Sequence, residues 1–164
     1  MFIYSVRAST IKLLALVAAA VALLIGITSF TSLGYVQTAA PATVRFTGMK
    51  TNEDRVAFIE QFGVKVKAEP LEEKQFLMPE NFDRIIIGYN ELQKKQGLDL
   101  SKYAKKKVTR YTYLVENYNG EGEAYVNLFV HRNRIIACDI CSAERDGFVE
   151  PLTLVDKAKL KQTS

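Results

Sequence analysis

The sequence predicts an α+β fold: two helices packed on one face of a small, mainly antiparallel sheet of four to five strands, preceded by an N-terminal transmembrane helix. Three patterns predict it. Leu13 to Val44 carries no charge. Two later segments place apolar residues at helical spacing, and the stretches after them alternate apolar and polar residues with period two.

The charge-free stretch is the expected anchor. Its core, Leu13–Ile27, is Leu, Ala, Val, Ile and one Gly, and extending it from Ile11 to Leu33 reaches the roughly 20 residues a spanning helix needs. Thr28, Ser29, Thr31 and Ser32 are tolerable there because hydroxyls can bond back to the helix backbone. The alternative is a cleaved signal peptide, for which Ala40-Pro41-Ala42 resembles a small-residue cleavage site. In either case Arg7 and Lys12 precede the apolar run, which keeps the amino end cytoplasmic and sends the remainder across the membrane. The expected organisation is a cytoplasmic tail at 1–10, an anchor at 11–35, a linker at 36–48, an extracytoplasmic α+β domain at 49–153 and a polar, frayed tail at 154–164.

Charge narrows the partners. The chain holds 22 Lys and Arg against 18 Asp and Glu. Without Arg7 and Lys12, 20 basic residues face 18 acidic ones, a net of +2. That is too little for a nucleic-acid binder, so the expected partners are the membrane, through the N-terminal helix, and an envelope protein.

In the exported part, Thr51 with Asp54 resembles an N-cap and its acidic partner. Val56, Phe58, Ile59 and Phe62 form one apolar stripe, which Gly63 stops. Val64, Val66 and Ala68 alternate with Lys65 and Lys67, the pattern of a half-buried strand, and Gln75–Met78 is a short partner strand. The second helix places Phe82, Ile85, Ile86, Tyr89 and Leu92 at core-facing spacing and ends at Gly97. Gly88 inside it implies a close crossing. Strands follow at Lys107–Glu116, Glu123–His131 and Arg134–Ile140, with Asn119-Gly120 and Arg132-Asn133 as turns.

Few residues suggest chemistry. Cys138 and Cys141 lie three residues apart; in a strand they point to opposite faces with Cα atoms about 10 Å apart, beyond the roughly 7 Å of a disulfide. Cys141 beside Asp139 is a weak thiol candidate, needing a base such as the single histidine, His131. One histidine and one cysteine pair make an incomplete ligand set, so neither metal nor cofactor is expected. Asn90, Gln93, Gln96 and Asp99 cluster at the end of the second helix, near Tyr103 and Arg110. These six are the candidate binding residues, although hydrogen bonding between helix end and loop explains the polar four equally well. Lys102, Lys105, Lys106, Lys107 and Arg110 form the densest basic run, a contact for anionic head groups or wall polymers, or a solvated edge. Tyr111, Tyr113, Tyr125 and Phe129 are a candidate aromatic patch.

The run Tyr89–Tyr103 (YNELQKKQGLDLSKY) followed by Val108–Tyr113 (VTRYTY) closely resembles the domain-of-unknown-function family DUF4830. Tyr4–Thr10, Thr51–Phe58, Asp139–Ser142 and Gly147–Val149 extend the resemblance. It implies a single-span protein of low-GC Gram-positive bacteria, many of them gut clostridia, and no assigned activity. Two departures stand out: the family carries Trp at the position of Val64 and two glycines at Ala137 and Cys138. The functional expectation is a non-enzymatic protein-interaction or sensing module of the cell envelope. The alternatives are a small-molecule or wall-fragment binding domain and a thiol-dependent enzyme.

Overall fold

The computed structural model describes residues 44–144 and 146–161. The expected anchor lies outside them; no helix among the described residues is long and apolar enough to cross a membrane. The described chain is α+β. Helix α1 (Asn52–Glu60) is followed by strand β1 (Glu72–Leu77), helix α2 (Arg84–Lys94), a 3-10 turn (Leu100–Tyr103), and strands β2 (Lys107–Leu114), β3 (Ala124–His131), β4 (Arg134–Ser142) and β5 (Val149–Pro151). The five strands form one sheet in sequence order, every neighbouring pair antiparallel.

Local chemistry sets the element ends. Thr51 accepts from the Asp54 amide while the Asp54 carboxylate accepts from the Thr51 amide, a reciprocal capping box. Gly63, at φ +76°, ends the turn after α1. Asp83 caps α2 by accepting from the Ile86 amide at 2.8 Å, and Gly97, at φ +81°, closes it. Arg132 and Asn133 both take positive φ, the turn whose twist suits a two-residue hairpin.

Strand register defines two faces. On the first, Tyr111, Tyr113, Val126, Leu128, Cys138 and Ile140 meet α1 through Phe58 and Ile59. On the second lie Arg110, Thr112, Asn127, Phe129, Ala137 and Asp139, and α2 sits there through Tyr89, whose ring is 5.7 Å from that of Phe129. The expectation of both helices on one face is therefore corrected: each face takes one. A bulge permits this double use. Phe129 pairs with Ala137 and Val130 with Ile135, so the extra residue Ile136 joins the second-face cluster while Ile135 stays with the first.

The expected strand at Val64–Ala68 is reduced to one bridge, Val66 to Val115. Its alternation persists, with Val64 and Val66 buried and the lysines exposed. The segment is pinned by side chains: Asn117 accepts from the Lys65 amide at 2.8 Å and donates to the Gly63 carbonyl at 2.9 Å. The paired strand instead runs from Glu72 to Leu77. The presumed tail from residue 154 is seated as far as Lys161: Val155 and Leu160 are buried in the first cluster, and the Lys161 amide donates to the Asn117 carbonyl at 2.7 Å.

The largest departure concerns α2. Of its expected core stripe, Phe82, Ile86, Tyr89 and Leu92 are half-buried, with Phe82 and Tyr89 packed on the second cluster, but one member points to water. Ile85 is 81% exposed, while the buried residues of the helix are Asn90 and Gln93. Gly88 is exposed as well, and a Cβ there would meet nothing within 4 Å, so it reflects no close crossing.

Candidate functional site

The polar residues of α2 are buried because the edge of the sheet requires them. Strand β5 pairs with β4 only as far as Pro151 opposite Asp139. One residue further, the Cys138 amide and carbonyl face the edge with no strand to meet them, and buried backbone groups left unpaired are costly. Gln93 Oε1 accepts from the Cys138 N–H at 2.9 Å, and Gln96 Nε2 donates to the Cys138 carbonyl at 2.6 Å. Gln96 Oε1 also accepts from the Thr153 amide at 3.3 Å. Two carboxamides thus replace the missing strand and dock the end of α2.

The neighbouring candidates are engaged in the same way. Asn90 Oδ1 accepts from the Leu100 amide at 2.7 Å, and its Nδ2 donates to Asp99 at 3.0 Å. Asp99 caps the 3-10 turn, accepting from the Ser101 amide and hydroxyl. The Asn90 bond and then those from Ser101 lower its carboxyl to about 2. Tyr103 packs edge-on to His131, centroids 5.7 Å apart. The structure therefore places Asn90, Gln93, Gln96 and Asp99 together, but with their polar atoms largely spent on the fold. Arg110 is elsewhere, on the second face beside Phe129 and paired with Glu72.

That second face holds a polar cluster which sequence reasoning did not assemble. Asp139 is 3% exposed. Tyr89 donates its hydroxyl to Asp139 Oδ2 at 2.5 Å, and Asn127 Nδ2 donates to Oδ1 at 3.0 Å. Thr112 in turn donates to Asn127 Oδ1 at 2.8 Å. Burial raises the Asp139 carboxyl above its ordinary value despite these donors. Burial, reinforced by that carboxylate, holds the Tyr89 phenol well above its own. One signal was legible: a carboxylate inside the aliphatic run of β4 demands partners.

Both cysteines are free. Cys138 lies in the first-face core and Cys141 on the opposite face. Burial first, then Asp139, pushes the Cys141 thiol up to about 11, so it is protonated at neutral pH and a poor nucleophile. Cys141 pairs with Tyr125, and His131 lies six residues along β3, about 20 Å away. His131 Nδ1 is itself hydrogen-bonded to the Lys107 carbonyl at 2.7 Å. The presumed aromatic patch is divided by strand parity, with Tyr111 and Tyr113 on the first face and Tyr125 and Phe129 on the second.

Beside the polar cluster the second face opens into a pocket of about 260 Å³, lined by apolar side chains from the end of β1 and the residues after it, the first two turns of α2, Leu100 and Phe129. Tyr89 belongs to both: its ring lines the pocket while its hydroxyl reaches Asp139. At its mouth Ile85 is 81% exposed. Such a surface suits an apolar side chain from another molecule. Among the described residues no group of three or more His, Cys, Asp or Glu is arranged to hold a metal.

A protein-family model described as "Domain of unknown function (DUF4830)" matches residues 58–140. That span contains α2, the glutamine clamp and the Tyr89–Asp139 cluster. No curated protein and no solved structure matches the chain.

Proposed function

The chain belongs to the DUF4830 family, and from that footing we propose that it is a protein-interaction module of the cell envelope. In this reading an N-terminal helix anchors it in the membrane of a low-GC Gram-positive bacterium. The domain is displayed outside and docks a partner on the apolar pocket of the second face. The observation that carries the reading is an apolar pocket open at Ile85, a side chain left 81% exposed. Removing a large aliphatic side chain of this kind from water is worth about 1.5–3 kcal/mol, and isolated folding of the domain leaves that gain unused.

The location rests on the charge-free run and its basic flank. A binding role is favoured over a thiol enzyme because the one half-buried thiol is held protonated and the lone histidine is distant. The test is photocrosslinking in cells. A photoreactive residue at position 85 of the tagged full-length protein is expected to trap one near-stoichiometric partner, while the same residue at Glu121, on the far loop, traps none. Monomer alone from both positions would reject the interaction role.

A further inference from the structure

A second groove, of about 460 Å³, lies apart from the apolar pocket and shares no lining residue with it. Three segments converge on it: Met49–Lys50 ahead of α1, Lys105–Lys107 leading into β2, and His131–Asn133 at the β3–β4 turn. No carboxylate lines it. Lys105 is paired with Glu80 at 2.5 Å. Lys50, Lys106, Lys107 and Arg132 have no ion-pair partner among the described residues. Two carboxylates lie beside the groove without lining it: Glu73, paired with Tyr111 and so on the same face of the sheet, and Asp54, which caps α1.

Arg55 is the informative member. It lines the groove yet is only 8% exposed, and no carboxylate among the described residues pairs with it. A buried cation without a counter-charge is costly, and stability alone gives no reason to keep one. Its side chain is nevertheless held in place. Nε donates to the Tyr113 hydroxyl at 2.9 Å, and the guanidinium carbon stands 3.8 Å from the centroid of the Tyr111 ring. The two terminal nitrogens make no hydrogen bond among the described residues. This is a pre-positioned fork, the geometry that binds two oxygens of one anion.

We infer that this groove binds a phosphate group of a ligand, with Arg55 gripping two of its oxygens and Lys50, Lys107 and Arg132 supplying point charges at the rim. Phosphate fits better than a single carboxylate because several unpaired cations surround one groove. The near-neutral domain charge places the attraction in this groove and not in the molecule as a whole. The site is independent of partner docking on α2, so either can fail without the other.

The test is calorimetric titration of the detergent-solubilised full-length protein. Inorganic pyrophosphate probes free phosphate; micelles doped with phosphatidylglycerol, against phosphatidylcholine, probe a lipid head group. Saturable binding that weakens with added salt is expected for at least one probe, and the tighter one identifies the source. Arg55→Lys keeps the charge but loses the fork, and should weaken binding about tenfold, as for one lost charge-assisted hydrogen bond. The exposed pair K107Q/R132Q should weaken it at least as much with an unchanged melting temperature, whereas Ile85→Asp should leave it unaltered. Absence of saturable binding by either probe, or affinity unchanged in the rim double variant, would overturn the site.

Discussion

The two faces of the sheet are built on opposite principles. The first is a continuous apolar core in which Ile59, Val126, Leu128, Ile140 and Leu152 are fully buried beneath α1 and the C-terminal turns. The second has a small apolar cluster around Met78, Leu100 and Val108, a buried carboxylate network, and isoleucines left in water at the start of α2. The helix on the first face contributes hydrophobic burial. The helix on the second packs through Tyr89 and is also fastened by amide side chains to the β4 edge, so part of its apolar surface remains available. The contrast teaches that hydrogen bonds to a strand edge share the docking of α2 with its apolar packing, which leaves Ile85 and Ile87 exposed.

The largest expected effect lies on the first face. Leu128→Ala removes a fully buried side chain and should cost about 2–5 kcal/mol in urea denaturation. A loss below 1 kcal/mol there, or one matched by Ile85→Ala, would erase the contrast. Gln93→Ala comes next. It strips the acceptor from the Cys138 amide and should cost about 1–3 kcal/mol. Amide exchange should show the loss concentrated at α2 and the Cys138 N–H, leaving α1 protected.

Two carboxylates sharpen the comparison through opposite pH dependence. Asp99, lowered from 3.8 to about 2 by Asn90 and Ser101, contributes stability present above 3.8 and lost as pH falls toward 2. Asp139, raised above 3.8 by burial, contributes stability present below 3.8 and lost as pH rises through its elevated folded value. Denaturation across a pH series should therefore show the difference between wild type and Asp139→Asn moving in the variant's favour as pH rises. The advantage of wild type over Asp99→Asn should shrink as pH falls. Equal slopes in the two variants would contradict the assignment.

Much of this was legible in the sequence, and the failures share a cause. Strand β3 was readable because one face is covered throughout, so Ala124, Val126, Leu128 and Val130 recur at every second position, alternating with the larger Tyr125, Asn127, Phe129 and His131. The capping box and the Arg132-Asn133 turn were readable because each is set by a few adjacent residues. Helix α2 was located correctly, and its stripe faces the sheet in part, through Phe82, Ile86, Tyr89 and Leu92. What helical periodicity does not register is that an unfinished strand edge draws Asn90 and Gln93 inward beside them and leaves Ile85 in water. Which residue needs an amide partner depends on where β5 stops, a long-range fact no local pattern holds. The Tyr89–Asp139 pair, fifty positions apart in the chain, was hidden for the same reason, as was the groove around Arg55.

The smallest expected effect on stability is also the most direct test. Ile85→Asp places a charge on a side chain that is 81% exposed and should change folding stability by no more than about 0.5 kcal/mol. Its denaturation curve and its yield of co-purified partner after crosslinking in cells should be measured together on the full-length protein. An unchanged curve with the partner lost is the predicted result. A partner retained at wild-type yield, or a destabilisation as large as that of Leu128→Ala, would contradict the division of labour between the two faces.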